Sequence, residues 1–343
     1  MRELKQTSLW DDWQVRHIAT HVDGSKAAKL LAFATGVLRF GADLVRFRPH
    51  VVHLHSSADA SFFRKAILLW LSTAARVPVI VHMHGSDFQS FHDDSPLLTR
   101  TFISRTLSRA AVVIALGEVW AGRLRSIAPS ARVTVVPNAV RSARQVAQPR
   151  PGDPVEVVFL GRIGDRKGAF RVLEAWARLA AAGDVRVSAA KLTLAGDGET
   201  DRARARIREL GVGDTVVTHE WLSEEAVADL LDRSHILVLP SRNEGQPMAV
   251  LEAMARGMCV VASGAGGLPE MVGGGCGLIV APDEVDSIAA ALKRAIDDAD
   301  LRVRLGSAAR DRCANTFDVD AVARQIDSLY RQVVRTPSSD RAG

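Results

Sequence analysis

The chain has 343 residues, 47% of them hydrophobic and 24% charged, which predicts two folded domains and excludes a disordered chain. Three cysteines with no CxxC pair exclude a disulfide framework and a thiolate zinc site, so we expect a reducing, cytoplasmic location. The longest apolar run, residues 66–75, is about half of the ~20 residues that a membrane-spanning helix needs. The opening residues lack the apolar core of a signal peptide, so export is not expected.

Charge is distributed unevenly along the chain. Residues 1–150 contain 20 lysines and arginines against 10 acidic residues, whereas the remainder contains 24 against 29. A basic first half favours contact with an anionic ligand or surface. A general enrichment in arginine, unrelated to function, would produce the same excess.

Short apolar runs alternate with amphipathic stretches in the first half of the chain. The runs predict strands at Val15–Thr20, Val51–His55, Val79–Met83, Val112–Ala115 and Val133–Val136. The stretches between them predict helices at Ala27–Arg46, Ala60–Ala75, Pro96–Ser108 and Val119–Ile127. This alternation is typical of a parallel sheet with helices on both faces.

A polar segment with three prolines, Arg141–Pro154, interrupts the pattern and predicts a linker. After it, strands are predicted at Val155–Leu160, Lys191–Ala195, Thr215–Thr218, Ile236–Leu239, Cys259–Ala262 and Gly277–Val280. Helices are predicted at Ala169–Ala181, Asp201–Leu210, Glu224–Arg233, Met248–Arg256, Val285–Asp298 and Asp318–Val334. The tail, residues 336–343, is expected to be disordered.

We therefore expect an α/β protein of two doubly wound, Rossmann-like domains that face a cleft. The first domain would span residues 1–143, the linker residues 144–154 and the second domain residues 155–316. Because ligands of doubly wound sheets bind at the carboxyl ends of the strands, the loops after the strands are where chemistry is expected.

The glycine-rich turn Gly161–Gly168 follows the first strand of the second domain and contains Arg162, Arg166 and Lys167. A helix N-terminus offers free N–H groups and a positive dipole end to a phosphate, and the basic side chains would clamp a diphosphate. The turn matches neither the Walker loop nor GxGxxG. A surface turn with solvated charges is the alternative.

Two glutamates flank the start of a later helix. Glu244 lies in the turn after Ile236–Leu239, and Glu252 follows eight residues later on the helix. A carboxylate beside a buried helix face is costly unless it accepts hydrogen bonds, and a pair of sugar hydroxyls would supply them. Each glutamate alone could instead be a helix-dipole partner or a surface charge.

Histidines occur around two strands of the first domain. His84 and Asp87 follow Val79–Met83 and form a candidate polar rim, with a structural role for the histidine as the alternative. Three more histidines alternate on nearby strands, at positions His53, His55 and His82. Because no flanking cluster of carboxylates completes a ligand set, we expect no metal site.

Two further turns end strands of the second domain, at Ala195–Glu199 and Ser263–Glu270. The first carries acidic residues between glycines, and the second is a glycine loop that leads into a helix. Either is compatible with ordinary turn chemistry.

Several motifs occur in order: PHVVHLHSS, VIVHMHGSDF and VTVVPNAV, followed by FLGRIGDRKG, LAGDGE, LPSRNEGQPMAVLEAMARG and GLIVAPDE. Together they resemble the nucleotide-sugar glycosyltransferases of family 4, also called group 1, which have the GT-B fold. The resemblance covers roughly residues 13–334. Its most specific part is the E-x7-E element, Glu244 to Glu252, combined with the basic loop.

The resemblance implies that the second domain binds a nucleotide-diphosphate sugar as co-substrate, with no other cofactor. Arg162 and Lys167 would hold the diphosphate. Glu252 would accept the ribose hydroxyls, and Glu244 would face the donor sugar. The remaining donor contacts would come from Gly161, Leu222, Gly245, Gln246, Met248 and Ala249.

The first domain would bind the acceptor, which the resemblance implies is a glycan, a lipid or a small molecule and not a nucleic acid. The acceptor side would consist of His55, Ser57, His84 and Asp87, and the catalytic set of His84, Arg162, Lys167 and Glu244. Transfer would retain the anomeric configuration, with the leaving diphosphate helping to remove the acceptor proton. The C-terminal helix, residues 317–335, would pack back on the first domain.

Three features depart from the family pattern. Pro247 stands at the second glycine of the usual E-G-x-G turn, and Glu220 stands where a glycine is frequent. The family's first strand and glycine-rich loop have no counterpart, so Val15–Thr20 would be its second strand. Because losing a central strand leaves buried ladder groups unpaired, we expect the natural start codon to lie upstream.

Two other functions compete with sugar transfer: a catalytically impaired GT-B binding or scaffold protein, and a GT-B sugar-nucleotide epimerase. The absent loop and Pro247 favour the impaired protein. The basic loop together with the E-x7-E element favours the transferase.

A basic, amphipathic helix is predicted at Thr99–Arg109. It mixes Arg100, Arg105 and Arg109 with apolar residues, which favours peripheral contact with an anionic membrane at the inner face of the cell membrane. Packing of the helix on its own sheet is the alternative.

Overall fold

The computed structural model describes residues 3–22, 24–150, 152–183 and 189–335. The chain forms two compact units, one comprising Met1–Pro137 with Val319–Gly343 and the other comprising Asn138–Asp318. Each unit has its own parallel sheet and its own apolar core, so the predicted α/β class is confirmed. Within the described ranges, no helix has both the length and the apolar character needed to cross a bilayer.

The first unit contains a four-stranded parallel sheet in the order β1-β2-β3-β4. Its strands are β1 (Val52–Ser56), β2 (Val79–Met83), β3 (Val112–Ala115) and β4 (Val133–Val135). Its helices within the described residues are α1 (Ser8–Asp12), α2 (Lys26–Arg46), α3 (Asp59–Ala74), α4 (Phe88–Asp93), α5 (Leu97–Arg109), α6 (Glu118–Ile127) and α14 (Val319–Arg335).

The two faces of this sheet differ in chemistry because successive side chains of a strand point to opposite faces. Val52 and Leu54 of β1 belong to the apolar core together with Val81 and Met83 of β2. Buried residues of α3, α5 and α6 belong to the same core, as expected when right-handed crossovers join consecutive parallel strands. The histidines of β1 and β2 therefore lie on the opposite face.

The expectation of a strand at Val15–Thr20 was wrong, because the segment has no strand in the structure. Side chains hold it in place: Arg16 pairs with Asp43 at 3.1 Å and lies over the Phe47 ring. Thr20 accepts a hydrogen bond from the Lys65 ammonium. Apolar alternation alone misled the prediction, since a strand also needs a partner for its backbone groups.

Helix α14 belongs to the first unit although it ends the described chain. Trp13 Nε1 donates to Asp327 at 2.8 Å, and the Trp13 ring meets the Tyr330 ring edge-on at 5.1 Å. The tail beyond it, residues 336–343, lies outside the described residues.

The second unit contains a six-stranded parallel sheet in the order β10-β9-β8-β5-β6-β7. Its strands are β5 (Glu156–Leu160), β6 (Lys191–Ala195), β7 (Val216–His219), β8 (Ile236–Leu239), β9 (Cys259–Ser263) and β10 (Leu278–Val280). Its helices within the described residues are α7 (Ala169–Ala181), α8 (Thr200–Glu209), α9 (Glu224–Asp232), α10 (Met248–Ala255), α11 (Leu268–Val272), α12 (Val285–Asp297) and α13 (Ala299–Thr316).

Helix α13 was missed at the sequence level because arginines interrupt its apolar face. Its N-terminus is capped by Asp298, whose side chain accepts from the Leu301 N–H at 2.8 Å. Arg302 is buried and donates to the carbonyls of Ala295 and Ile296 at 2.8 Å each. The arginine thereby occupies a core position while it satisfies the last turn of α12.

The segment predicted as a linker, residues 144–154, packs against the second unit instead of separating the two units. Val146 is buried in that unit's core, and its N–H donates to the Arg256 carbonyl at 2.9 Å. Gln148 accepts from Arg302 at 2.9 Å. The boundary lies earlier, between Pro137 and Asn138. The prolines correctly predicted that this segment has no regular secondary structure. A segment without regular secondary structure can nevertheless pack in a domain core, as Val146 does.

Candidate active site

The strand order of the second unit reverses at β5, which lies between β6 and β8. In open α/β sheets, ligands bind outside the carboxyl ends of the strands at such a reversal. The loops that leave these ends are residues 161–168 after β5 and residues 240–247 after β8. Both were singled out from the sequence, and the fold brings them together.

An ion pair joins the two loops. The Lys167 ammonium lies 2.5 Å from Oε1 of Glu244, and the two side chains are only 16% and 8% exposed. Burying opposite charges costs desolvation energy that their attraction does not always repay. Such a pair at a strand-order reversal therefore indicates a site that needs both charges.

The backbones of the two loops are in direct contact. The Arg242 N–H donates to the Arg166 carbonyl at 2.9 Å. Gly168 adopts a φ of +80°, and a Cβ at this position would lie 2.6 Å from the Pro240 carbonyl oxygen. Only glycine permits both the left-handed conformation and this close approach.

A third loop, after β9, supports Glu244 from its other side. The Gly267 N–H donates to the Glu244 carbonyl at 2.9 Å. Gly266 has a φ of +60°, and a Cβ there would lie 2.2 Å from the same carbonyl oxygen. The turn Ser263–Glu270, for which ordinary turn chemistry was only one of the interpretations of the sequence, thus contacts the backbone of Glu244.

A fourth loop, after β6, packs against the start of the basic loop. The Gly161 N–H donates to the Ala195 carbonyl at 3.0 Å, and the Ile163 N–H donates to the Asp197 carbonyl at 2.7 Å. Arg162 lies 3.9 Å from the Asp197 carboxylate, with side chains 71% and 53% exposed. Such an exposed pair binds weakly, so this guanidinium is available to a ligand.

The glutamine of the loop after β8 is held by a residue that sequence reasoning missed. The side-chain oxygen of Gln246 accepts from the Asn138 N–H at 2.8 Å. The Asn138 side chain donates in turn to the Gln246 carbonyl at 2.9 Å. The motif VTVVPNAV contained Asn138, but nothing local to it indicated a partner 108 residues away.

The other residues that were expected to contact the sugar-nucleotide donor differ in how far they are buried. Gly245 is buried and Glu252 is half-buried on the second turn of α10. Met248, 39% exposed, begins α10, and Ala249 follows it half-buried. Leu222 packs partly against the core in the loop after β7, beside Trp221, which is 81% exposed.

Two helices point their N-termini at these loops, since α7 begins at Ala169 and α10 begins at Met248. Helix N-termini carry partial positive charge and favour anions. Together with Arg162 and Lys167, they give this edge of the sheet the electrostatics of a phosphate site.

In the first unit, His84 follows β2 directly. Its Nε2 lies 2.7 Å from Nδ1 of His55, and burial lowers the pKa of His84 to about 4. Ser57 lies beside the next residue, Gly85, because a Cβ on Gly85 would be 3.1 Å from the Ser57 Cβ. Asp87 is exposed at the start of α4 and accepts from the Ser86 hydroxyl at 3.3 Å. At neutral pH, His84 is thus an uncharged imidazole.

Comparison with known proteins covers both units. Residues 141–312 match the protein family "Glycosyl transferases group 1". Residues 7–139 match the family "Glycosyl transferase 4-like domain". The glycogen synthase of Mycobacterium tuberculosis H37Rv is 32% identical over 325 residues, which cover 88% of this chain and 74% of that protein.

Two further proteins are similar to the chain. The MMP alpha-(1->4)-mannosyltransferase of Mycolicibacterium hassiacum is 38% identical over 170 residues, 49% of this chain and 40% of that protein. The chain thus spans less than half the length of that relative. The crystal structure of Anabaena HepE in complex with UDP has a TM-score of 0.73 at 18% identity, over 91% of this chain and 85% of that one. On these matches, the chain belongs to the group 1 glycosyltransferases, enzymes of the GT-B fold.

Proposed function

We propose that this chain transfers a sugar from a nucleotide-diphosphate donor to a hydroxyl acceptor with retention of the anomeric configuration. The observation that carries the proposal is the Lys167–Glu244 ion pair at the strand-order reversal of the second unit. A diphosphate leaving group needs a cation there, and a donor sugar needs hydrogen-bond acceptors.

Donor binding exchanges the partner of Lys167. Without a ligand, the ammonium is neutralised by Glu244. When the diphosphate arrives, Lys167 turns to its oxygens together with Arg162, and the Glu244 carboxylate is released to accept from the sugar hydroxyls. Glu252, on the second turn of α10, accepts from the ribose hydroxyls. The ion pair therefore keeps both charges satisfied until the substrate replaces it.

The chemical step breaks the bond between the anomeric carbon and the diphosphate oxygen. The acceptor oxygen forms its bond to the same face of that carbon, and its proton passes to the departing diphosphate. Arg162 and Lys167 stabilise the charge that develops on the leaving group, and each such contact is worth roughly 10²–10³ in rate. The uncharged His84 imidazole accepts a hydrogen bond from the bound acceptor.

Substitution of Lys167 tests this role. We expect Lys167→Met to lower kcat for nucleotide release by roughly 10²–10³, measured with UDP-, GDP- and ADP-sugars. Lys191→Met is the matched control, because Lys191 is exposed at the amino end of β6, the opposite edge of the same sheet. Unfolding temperatures of both variants separate lost chemistry from lost structure. Equal rates in the two variants would contradict the assignment.

The donor base is tested first with uridine nucleotides, since the similar HepE structure holds UDP. A ligand that binds only the folded state raises the unfolding temperature, so a screen of UDP, GDP and ADP ranks the bases. If no nucleotide produced a shift, the donor site would have to be abandoned.

Impaired catalysis is favoured by one observation, the N-cap position of Pro247 at α10. Proline donates no N–H, so a donor-sugar contact is lost there. A binding or scaffold protein would bind the nucleotide without releasing diphosphate from the sugar donor. A sugar-nucleotide epimerase would convert the donor without an acceptor.

Peripheral contact with an anionic membrane is proposed for the surface formed by α3 and α5. Ile103 and Leu107 of α5 are buried on their own sheet, whereas Leu97 and Leu98 are 78% and 85% exposed. Phe102 stacks on Phe63 of α3 at 6.2 Å, and a line of exposed apolar residues continues along α3 at Ile67, Trp70 and Leu71. Arg105 and Arg109 add positive charge to α5.

Sedimentation with vesicles tests this surface. We expect binding to phosphatidylglycerol vesicles and not to phosphatidylcholine vesicles, with loss of binding in a Leu97→Ser, Leu98→Ser variant. Because these side chains are exposed, the variant should keep its unfolding temperature. Equal binding to phosphatidylglycerol and phosphatidylcholine vesicles would exclude an electrostatic contribution to membrane binding.

A further inference from the structure

Four histidine side chains meet on the face of the first sheet that is turned away from the apolar core. His53 and His55 are two residues apart on β1, and the register places His55 opposite His82 of β2. His84 follows two residues after His82. Within this group of four, the histidine cluster, the centroids of contacting rings lie 4.2 to 5.4 Å apart.

The spacing of three of them matches a metal-binding set. One ring nitrogen from each of His53, His55 and His82 lies within 4.8 Å of the others. Nε2 of His53 is 3.3 Å from Nδ1 of His82. Two nitrogen ligands of a tetrahedral zinc ion, each bonded at 2.0–2.1 Å, lie about 3.4 Å apart. This pair is thus already at coordination distance.

The buried ring of His82 is only partly satisfied by the protein. Its Nδ1 lies 3.3 Å from Nε2 of His53, another ring nitrogen. Among the residues that the structure describes, its Nε2 has no hydrogen-bond partner. A buried polar atom without a partner is rare in a folded protein, and a bound ion that reorients the ring is one explanation for it.

The surroundings of the cluster supply the two remaining features of a metal site. The Tyr330 hydroxyl lies 2.7 Å from Nδ1 of His53, which orients that ring as an outer-shell partner does. A cavity of about 740 Å³ within the first unit is lined by His53, His55 and Tyr330 and gives an ion a path from solvent. Lys65 also lines the cavity, and its ammonium donates to the Thr20 hydroxyl.

We propose that His53, His55 and His82 form a three-nitrogen site for a divalent transition metal ion such as Zn²⁺, Ni²⁺ or Cu²⁺. Imidazole ligands favour these ions over Mg²⁺ and Ca²⁺, which prefer oxygen. Three protein ligands leave a fourth position open to water or another ligand. The site lies in the first unit and uses none of the residues that hold the donor.

Titration with Co²⁺ tests the proposal without relying on activity. Untagged full chain is stripped with a chelator and titrated, and we expect one equivalent of Co²⁺ to give visible absorption typical of tetrahedral nitrogen coordination. The thiolate charge-transfer band should be absent, since all three cysteines lie in the second unit. Zn²⁺ should displace the Co²⁺ and bleach the spectrum.

Variants locate the ion. His53→Gln and His82→Gln should each weaken Co²⁺ binding at least about tenfold, and Tyr330→Phe about 10–100-fold as an outer-shell change. His50→Gln is the matched control, because His50 is exposed in the same unit. If a glutamine variant fails to fold, the Co²⁺ titration of the wild type still tests whether the chain binds one equivalent of metal. Lack of a stoichiometric visible spectrum in the wild type, or unchanged affinity in all three variants, would overturn the site.

Discussion

The two sheets of this protein build polar sites in different ways. In the second unit, the strand order reverses at β5, and the loops at that reversal bring Lys167 to Glu244. In the first unit, the four strands run in chain order without a reversal, and the polar residues lie along one face of β1 and β2. The same alternation of strands and helices thus yields a loop site in one unit and a sheet-face site in the other.

The chemistry of the two sites follows from this difference. Loops at strand ends expose backbone N–H groups and helix N-termini, which suit a phosphate. A sheet face between packed layers is desolvated, which keeps imidazoles neutral, as the lowered pKa of His53 and of His84 illustrates. Charged ligands are therefore expected in the second unit, and neutral acid–base or metal-binding groups in the first.

The largest expected effect separates the two units by function. His84→Ala should lower turnover by roughly 10²–10⁴ and leave nucleotide affinity unchanged, because the role proposed for the imidazole is in the reaction and not in donor binding. Glu252→Ala should weaken nucleotide binding, because it removes the carboxylate proposed to accept from the ribose hydroxyls. Calorimetric titration with nucleotide and steady-state kinetics measure the two effects. Equal nucleotide affinity in wild type and Glu252→Ala would contradict the assignment of donor binding to this part of the second unit.

Acid should destabilise the first unit more than the second. The unfolded histidines take up protons near pH 6.5, whereas burial holds the folded pKa at about 3 for His53 and about 4 for His84. The unfolded state therefore binds more protons, so stability falls as pH drops from 6.5 towards 4. Each such histidine contributes up to about 1.4 kcal/mol per pH unit.

Hydrogen exchange at pH 7 and pH 5 measures this loss separately for each unit. The second unit also has one described histidine with a lowered pKa, His235 at about 4, so its loss should be smaller but not zero. His82→Gln should reduce the slope in the first unit, and His50→Gln should not. A steeper dependence of stability on pH in the second unit than in the first would contradict this prediction.

A smaller effect is expected from the backbone of the donor site. Gly266→Ala should lower the free energy of unfolding by more than about 1 kcal/mol, because φ is positive and the new Cβ would clash with the Glu244 carbonyl. Gly211→Ala is the matched control, since its φ of +66° is similar but nothing lies within 4 Å. Denaturant unfolding compares them. Equal losses would show that Glu244 is not held by this contact.

The smallest effect is expected at the exposed pair Arg162–Asp197. Asp197→Asn should change the free energy of unfolding by less than about 1 kcal/mol, because both side chains are mostly exposed. The same variant should keep or raise nucleotide affinity, since it frees the guanidinium. A clear loss of affinity would place Asp197 itself in the donor site.

The sequence alone determined most of the local structure. Uninterrupted apolar runs predicted β3 and β8 at their observed bounds, because strands buried on both faces need apolar side chains at every position. Glycine and charge patterns likewise predicted that Lys167 and Glu244 matter, each from its own loop. Local patterns failed where a residue packs or hydrogen-bonds with a different segment of the chain. Arg302 of α13 is buried because it donates to carbonyls at the end of α12, and Val146 is buried in the core of the second unit.

Only the tertiary structure decided which distant residues meet. The contact of Lys167 with Glu244 depends on β8 lying next to β5, and no local pattern encodes that strand order. The expectation of no metal site rested on the lack of nearby carboxylates, whereas the register of β1 and β2 brings His53, His55 and His82 together. Periodicity reports which face of an element is buried, but partners across a sheet are chosen by the packing of the whole chain.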